Sequence, residues 1–273
     1  MLFSLIVPTL NREKEFDEFC KSLICQTYKR FELIVVDQNE SDAVDKIVNK
    51  YNNCLKIIYI KSSKKGLSLN RNLGLKEATG DIVTFPDDDC EYKPDTLQNI
   101  YDFFNTTDYG LFTFNIEDKL TEQKNFKTKK YVLTYFNFYN SAISITIFVR
   151  KKYLAVFQFD ERLGVGAQFG SGEESDLVLY LLSNGTSGFY DGNMTIYHPR
   201  LTKNYDPNRS LKYGMGLGAF FKKSIIHYGK YFLVFQYFWY IIRSTIAVIL
   251  KHQKKYYFSF LSGVLHGFFS YKI

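Results

Sequence analysis

Three consecutive aspartates, Asp87 to Asp89, follow the apolar run Ile82 to Phe85 and Pro86. The run predicts a short buried strand, and ligands of open α/β sheets bind at the carboxyl ends of the strands. Clustered carboxylates repel one another, so a hard divalent cation would stabilise them. Oxygen ligands favour Mg²⁺ or Mn²⁺ over zinc, and such an ion could bridge a diphosphate. An ordinary solvated turn is the alternative interpretation of this triplet.

Three further polar segments fall at the same predicted edge: Pro8-Thr9-Leu10-Asn11-Arg12, Asp37-Gln38-Asn39 and the stretch from Gly66 to Gly74. Arg71 lies in the first turn of a predicted helix within the third segment, where a guanidinium suits a phosphate. Asn11 could instead cap a helix, and residues 37–42 could form a polar turn. Both structural roles are compatible with ligand binding.

A second acidic group, Glu173, Glu174 and Asp176, follows the glycine-rich stretch 164–172. Carboxylates beside a flexible glycine loop are what a general base needs. Ser171-Gly172-Glu173-Glu174 also has the S-x-x-E pattern of a capping box, so a purely structural role is the competing interpretation.

The elements that would position these groups follow from the periodicity. Short apolar runs alternate with helical patterns over the first hundred residues, which predicts βαβ units on a mainly parallel sheet. The predicted strands are Phe3 to Val7, Leu33 to Val36, Lys56 to Ile60, Ile82 to Phe85 and Ile143 to Val149. The predicted helices include Ala43 to Tyr51, Ser68 to Ala78 and Glu174 to Leu182, and Lys119 to Lys130 predicts a loop or exposed hairpin.

The C-terminal part differs in composition. From Arg200 onward the chain has 12 of its 35 Lys and Arg residues and the single acid Asp206, so its basic charge is concentrated there. The segment from Phe232 to Leu250 could span a bilayer, but Gln236 and Arg243 form a polar stripe that favours a helix lying in the membrane interface. The alternative is a helical pair that only covers the core.

Cysteine usage and the N-terminus indicate the compartment. The four cysteines, at positions 20, 25, 54 and 90, lack the spacing of a zinc site or a disulfide framework. A reducing cytosol is therefore expected. The first eight residues lack a basic leader and predict a buried strand rather than a signal peptide.

The ordered set of motifs resembles family 2 glycosyltransferases with the GT-A fold. It covers about residues 1 to 100. The motifs are Pro8-Thr9 with Asn11-Arg12, Ser22-Leu23 with Gln26-Thr27-Tyr28, Val35-Val36-Asp37, Arg71-Asn72-x-Gly74 with Ala78-x-Gly80-Asp81, and the aspartate triplet.

The resemblance implies a site made from both halves of the chain. Donor contacts would come from Pro8, Thr9, Asn11, Arg12, Asp37, Asn39, Gly66, Arg71, Asp87 and Asp88. Asp87, Asp89 and His198 would hold Mn²⁺ or Mg²⁺. Glu174 would be the base, with Glu173 and Asp176 as alternatives because relatives commonly have Asp where this chain has Glu174. Many relatives also have Asp-Asp in place of Asp37-Gln38, so the resemblance does not identify the residue that recognises the nucleobase of the donor. Arg209, Tyr213 and residues 214–219 resemble a segment implied to contact the acceptor or a lipid.

The expected protein is an α/β GT-A enzyme with a catalytic domain at 1–228, made of a nucleotide-sugar half (1–100) and an acceptor half (101–228), and a membrane-docking helical extension at 229–273. The resemblance implies inverting transfer from a nucleotide diphosphate sugar, expected to be a UDP-sugar, to a lipid-linked glycan, with no nucleic acid partner. It also implies a cytoplasmic protein, peripheral on the inner face of a bacterial membrane, in capsule, O-antigen or exopolysaccharide assembly. Two rivals stay open: a sugar nucleotidyltransferase, although Pro8 to Arg12 lacks the glycines of its loop, and a non-catalytic subunit that binds a nucleotide or a lipid.

Overall fold

The computed structural model describes residues 1–124, 128–141, 143–199 and 205–273. The chain forms two compact units. We call residues 1–65, 69–158 and 184–200 the sheet unit, and residues 66–68, 159–183 and 201–273 the helical unit.

The sheet unit is built on eight strands in the order β3-β2-β1-β4-β7-β5-β8-β6. The parallel half comprises β1 (Phe3–Thr9), β2 (Phe31–Asp37), β3 (Ile57–Lys61) and β4 (Ile82–Thr84). In the other half, β7 (Phe148–Arg150) is antiparallel to β4 and to β5 (Leu111–Glu117), β5 is parallel to β8 (Gly188–Tyr197), and β6 (Lys130–Val132) is antiparallel to β8. The register pairs Thr9 with Asp37, so the segments after β1 and β2 begin side by side.

Four helices occur in the same part of the chain as the parallel strands: α1 (Glu13–Ile24), α2 (Ala43–Tyr51), α3 (Leu67–Glu77) and α4 (Thr96–Thr106). Every residue of β1 and β2 is buried, and apolar residues of α1, α2 and α4 complete one hydrophobic core with them. Gly74 lets α3 approach the sheet, because a Cβ there would lie 2.4 Å from Ile6 Cγ2.

The predicted strand at Ile143 to Val149 is wrong over most of its length. Ser144–Thr146 forms a 3₁₀ turn, and only Phe148–Arg150 is a strand. The alternation of Ile with Ser and Thr suggested a strand, but the Thr146 hydroxyl donates to the Ile143 carbonyl at 3.0 Å. This local bond competes with a sheet ladder.

The other secondary-structure predictions agree with the described residues. Within Lys119 to Lys130, residues 125–127 lie outside the described residues, and Glu117 pairs with Lys124 in an isolated antiparallel bridge that fits an exposed hairpin. The four predicted strands of the first hundred residues and the helices at α2 and α3 are confirmed within two residues at each end.

The helical unit contains α5 (Glu173–Ser183), α6 (Pro207–Lys222), a π-helical turn (Lys223–His227), α7 (Leu233–Leu250) and α8 (Lys254–Ser270). Helices α6 and α8 pack through glycines: a Cβ on Gly267 would lie 2.0 Å from the Met215 carbonyl oxygen, and one on Gly218 would lie 2.1 Å from that of Val264. These contacts give the glycines of 214–219 a packing role. The domain division at residue 228 stays a prediction, and α8 packs on α6 across it.

Candidate functional site

Asp87, Asp89 and His198 are brought together in the sheet unit, with ligand atoms that all lie within 4.8 Å of one another. The aspartates follow β4 in a turn, where the Cys90 thiol donates to the Asp87 carbonyl at 3.1 Å. His198 follows β8. Its approach depends on a backbone bridge in which the amides of Glu91 and Tyr197 donate to each other's carbonyls at 2.9 and 3.0 Å.

This donor set fits a divalent cation. His198 Nε2 lies 3.4 Å from Asp89 Oδ1, and both side chains are largely buried. Apart from this long contact with His198, that oxygen makes no hydrogen bond of good geometry to the described residues, and a bound cation would give this buried carboxylate oxygen a closer partner. Two carboxylates and one imidazole leave further coordination positions for ligand oxygens, as Mn²⁺ and Mg²⁺ require.

The surrounding charges stabilise this cluster of acids. Arg12 pairs with Asp89 and, at 3.2 Å, with Asp88. Burial raises the pKa of Asp88 to about 6, against the opposing effects of the Thr9 hydroxyl and Arg12. Burial also acts to raise the pKa of Asp89, but the imidazole of His198 and the charge of Arg12 outweigh it and lower that pKa. Asp89 therefore stays ionised, as a metal ligand must.

Arg71 pairs with Asp87, one of the three residues of this cluster. Its side chain is fully buried on α3, and Nη2 lies 3.1 Å from Asp87 Oδ1. A buried guanidinium this close to a carboxylate fixes its position through a charge-assisted hydrogen bond. The contact of Arg71 with a diphosphate stays a prediction.

The segments after β1 and β2 form one linked turn. Asp37 is fully buried; its Oδ1 accepts the backbone amide and the side-chain amide of Asn39, both at 2.8 Å. The Asn39 side chain in turn accepts the backbone amide of Asn11 at 2.7 Å, and Asn11 has a positive φ of 56°. Asp37 thus orients Asn39, and the proposed donor contacts of Pro8, Thr9, Asn11, Asp37 and Asn39 stay predictions.

Two residues that contact Asp37 were not predicted as site residues from the sequence. Tyr59 and Lys61 donate to Asp37 Oδ2, both at 2.7 Å. They stand two apart on β3 and so share one face of the sheet. That spacing was the available signal. Burial acts to raise the pKa of Asp37, but the bonds from Lys61, Asn39 and Tyr59 outweigh it and lower that pKa.

The second acidic group lies in the helical unit at the start of α5. Glu173 and Asp176 are buried, at 5% and 1% exposure, whereas Glu174 is partly exposed. At the position of the alternative capping box, α5 begins at Glu173, and the Ser171 hydroxyl donates to the Tyr213 carbonyl at 3.0 Å. Gly66, another predicted donor contact, has a φ of 136° and also belongs to this unit.

Residues 4–161 match the model of glycosyl transferase family 2, which is more than half of the chain. The chain belongs to this family. The prediction of a family 2 glycosyltransferase is therefore confirmed, and family membership excludes the sugar nucleotidyltransferase rival.

Curated relatives are similar over parts of the chain. Glycosyltransferase GlyA of Streptococcus pneumoniae is 33% identical over 41% of this chain and 18% of the relative. Poly(ribitol-phosphate) β-N-acetylglucosaminyltransferase TarS of Staphylococcus aureus is 38% identical over 38% of this chain and 19% of the relative. GalNAc(5)-diNAcBac-PP-undecaprenol β-1,3-glucosyltransferase of Campylobacter jejuni is 37% identical over 36% of this chain and 32% of the relative. Each match therefore spans less than a third of the relative's length.

Solved structures confirm the GT-A fold. S. aureus TarS 1–349 in complex with UDP-GlcNAc has a TM-score of 0.63 at 22% identity and covers 82% of this chain and 73% of that one. Mannosyltransferase PcManGT from Pyrobaculum calidifontis in complex with GDP-Man and Mn²⁺ has a TM-score of 0.68 at 14% identity, with 99% and 88% covered.

Proposed function

We propose that this chain is an inverting, metal-dependent glycosyltransferase that moves a sugar from a UDP-sugar to a hydroxyl of a lipid-linked glycan in bacterial surface polysaccharide synthesis. The observation that carries the proposal is the cluster of Asp87, Asp89 and His198 at the end of β4, beside Arg12 and Arg71. Carboxylates at the carboxyl edge of a parallel sheet, with cations beside them, suit a diphosphate bound through a metal.

The residues would divide the chemistry between them. Asp87, Asp89 and His198 would hold Mn²⁺ or Mg²⁺, which when bound supplies a Lewis acid for the leaving diphosphate. Arg71 and Arg12 hold the aspartates in place before the donor arrives, so little reorganisation is needed during the reaction. Glu174 accepts the proton of the attacking hydroxyl, because it is the only one of the three acids at the start of α5 that is partly exposed. One displacement of this kind inverts the anomeric centre.

The substrates are proposed from the named relatives. The TarS structure was solved with UDP-GlcNAc, which supports a UDP-sugar. The Campylobacter relative is named for a glycan on undecaprenyl diphosphate, and TarS for poly(ribitol-phosphate). We favour the lipid-linked acceptor because this chain also exposes a membrane-compatible helix. The particular sugar and linkage depend on pocket shape.

A screen of nucleoside diphosphates with and without Mn²⁺ tests the donor. UDP with Mn²⁺ should raise the thermal midpoint by several degrees, since ligand at about 100 times its Kd stabilises by roughly 2.7 kcal/mol. Asp89→Asn should abolish the Mn²⁺-dependent part of the shift. A shift with GDP but not with UDP would indicate a GDP-sugar as the donor instead. The absence of a shift with every nucleoside diphosphate would contradict the proposal.

A turnover assay separates the enzyme from the non-catalytic rival. UDP released from UDP-sugars in the presence of Mn²⁺ and a polyprenyl-diphosphate glycan should exceed the rate without acceptor. Binding of UDP without turnover for any donor or acceptor would favour a nucleotide-binding subunit.

Helix α7 supports a peripheral location on the inner face of the membrane. Among the described residues it is the one helix long and apolar enough to cross a membrane by length and composition. Viewed down the helix axis, with successive residues 100° apart, its exposed large side chains fall within an arc of about 120° and so form one stripe. They are Phe235 at 80%, Phe238 at 55%, Trp239 at 61%, Ile242 at 51%, Ile246 at 48%, Ile249 at 64% and Leu250 at 73% exposure.

The helix is better suited to lie in the interface than to span. Its opposite face is buried within the helical unit at Leu233, Tyr237 and Ser244. Arg243 would fall near the centre of a span, where it costs about 2.5–3.5 kcal/mol, whereas beside the stripe it can reach anionic lipid headgroups. Trp239, six residues into α7, would also lie inside the hydrocarbon layer rather than at an interface.

Vesicle flotation tests this location. The double variant Phe235→Gln, Trp239→Gln should lower binding to phosphatidylglycerol vesicles by at least about tenfold, since each apolar side chain contributes up to about 1.5–3 kcal/mol. Leu120→Gln, at a site 93% exposed in the sheet unit, is the matched control and should bind like wild type. Undiminished binding of the double variant would contradict docking through α7. Deleting 229–273 is a poorer test, because it also removes α8 from its packing on α6.

A further inference from the structure

A polar cluster surrounds Asp176 in the helical unit. We name it the α5 anchor, and it comprises Asp160, Arg162, Asp176, Lys223, Tyr228 and Tyr271. Its members come from the loop before α5, from α5 itself, from the π-helical turn with the residue that closes it, and from the residue after α8. Each side chain is hydrogen bonded or ion paired to another member.

The centre of the anchor is the buried carboxylate of Asp176. Lys223 Nζ donates to Oδ2 at 2.8 Å, and the Tyr228 hydroxyl donates to Oδ1 at 3.1 Å. Both oxygens are engaged, and the residue is 1% exposed. An acceptor hydroxyl cannot easily reach such a carboxylate, so Asp176 is better suited to hold α5 than to take a proton.

The π-helical turn explains how two side chains reach one carboxylate. Residues five apart in an α-helix point about 140° away from each other. Here the Tyr228 amide donates to the Lys223 carbonyl at 3.3 Å, which closes a wider turn and brings both side chains to Asp176. Single π turns of this kind are rare in proteins, and many of those that occur lie at functional sites.

The other half of the anchor joins the end of the chain to the loop before α5. Asp160 accepts Arg162 Nε at 2.9 Å, Arg162 Nη2 at 2.7 Å and the Tyr271 hydroxyl at 2.5 Å, and Lys223 Nζ lies 3.4 Å away. Arg162 also donates to the Lys272 carbonyl at 2.6 Å and stacks on the Tyr271 ring. Lys223 therefore connects Asp160 to Asp176, and the residues after α8 to the helix that bears Glu174.

We propose that the α5 anchor holds α5 in register, so that Lys223, Tyr228 and Tyr271 are positioning residues for proton transfer by Glu174. This inference rests on the proposed function through the role of Glu174. Glu174 is two residues before Asp176, so any rotation of α5 that follows loss of the anchor moves its carboxylate. A displacement of about 1 Å can lower a rate about a hundredfold.

The test compares Lys223→Met with Lys222→Met, which removes the same charge one residue earlier and outside the anchor. Two quantities are measured: hydrogen exchange of residues 173–183 by mass spectrometry, and the steady-state kinetics of transfer. Lys223→Met should speed exchange in α5 and lower kcat by about 10–100-fold, with the Kd for UDP and Mn²⁺ unchanged. Lys223→Arg, which can still pair with the carboxylate, should restore most of the rate.

Tyr228→Phe removes only one hydroxyl and serves if Lys223→Met does not fold. It should speed exchange in α5 and lower kcat in the same direction, by a smaller factor. Wild-type rates of both exchange and transfer in Lys223→Met, or faster exchange with unchanged kcat, would overturn the inference. If Glu174→Gln is as active as wild type, the base assignment fails instead, and the exchange arm still reports whether the anchor holds α5.

Discussion

Replacing Glu32 by Gln should weaken the sheet unit in a way that depends on pH. Glu32 lies on β2, and its side chain is fully buried. Its Oε1 accepts the Ser4 hydroxyl and the Thr79 backbone amide, both at 2.7 Å, and its Oε2 accepts Lys56 Nζ at 2.7 Å. Ser4 in turn accepts the Gly80 amide at 2.8 Å, so this carboxylate fixes the chain that follows α3, the helix of Arg71.

The magnitude follows from the pKa of Glu32. Burial acts to raise it, but the bonds from Lys56, Thr79 and Ser4 outweigh burial and lower the pKa from 4.5 to about 2. A difference of about 2.5 units corresponds to about 3 kcal/mol. Since Lys56 is 60% exposed and its share is screened by solvent, we expect about 2 kcal/mol. Because the folded-state pKa is depressed, this stability is present above pH 4.5 and is lost as the pH falls towards 2.

The assay is thermal unfolding of wild type and Glu32→Gln between pH 7 and pH 2.5. The midpoint of the variant should be lower by about 4–8 °C at pH 7, and the gap should narrow below pH 4.5. Glu40→Gln, which changes an exposed carboxylate, should match wild type throughout. A difference in midpoint of the same size at every pH would refute the link between stability and the ionisation of Glu32. Equal midpoints at pH 7 would refute the stabilising role of Glu32.

Two further substitutions test the proposed base on α5 and the packing of the helical unit. Glu174→Gln should lower kcat by about 10²–10⁴-fold at constant Kd for UDP, whereas the same change at Glu173 should retain more activity; equal losses in the two variants would contradict the assignment. Gly267→Ala should destabilise the helical unit by about 1–3 kcal/mol or prevent its folding, measured by urea unfolding, because the new Cβ would lie 2.0 Å from the Met215 carbonyl oxygen. Gly185→Asn, at a positive-φ position that Asn tolerates and with open space for a Cβ, is the control.

The sequence was most informative where local pattern and topology agree. Apolar runs bounded by polar turns identified β1, β2, β3 and β4, because strands buried on both faces are almost continuous in apolar residues. Their order along a parallel sheet was then enough to place the aspartate triplet near the turn after β1. Arg12 confirms that proximity through its pairs with Asp88 and Asp89.

The second half of the sheet could not be obtained in the same way. Strands β5 and β8 are parallel neighbours separated by about 70 residues, and a register shift interrupts their pairing after Phe114. Such long-range pairing leaves little local signal. The bridge between Glu91 and Tyr197, which brings His198 to the aspartates, is likewise a contact that only the folded chain reveals.

The role of Asp176 shows a different limit. Its spacing from Glu173 and Glu174 makes it an equal candidate for the base in the sequence. Burial and the two hydrogen bonds from Lys223 and Tyr228 distinguish it in the structure. Nothing in the local pattern predicts the π-helical turn that brings those two donors together.

The most direct measurement is the binding of Mn²⁺ by electron paramagnetic resonance, with and without UDP, in wild type and in the variants Asp89→Asn and His198→Gln. On addition of UDP, the free-ion signal with wild type should fall below that of Mn²⁺ and UDP without protein, because the proposed site would hold the ion through Asp87, Asp89 and His198 together with the diphosphate. With either variant the signal should stay close to that of Mn²⁺ and UDP without protein. Equal Mn²⁺ binding in wild type and Asp89→Asn, in the presence of UDP, would contradict the central claim.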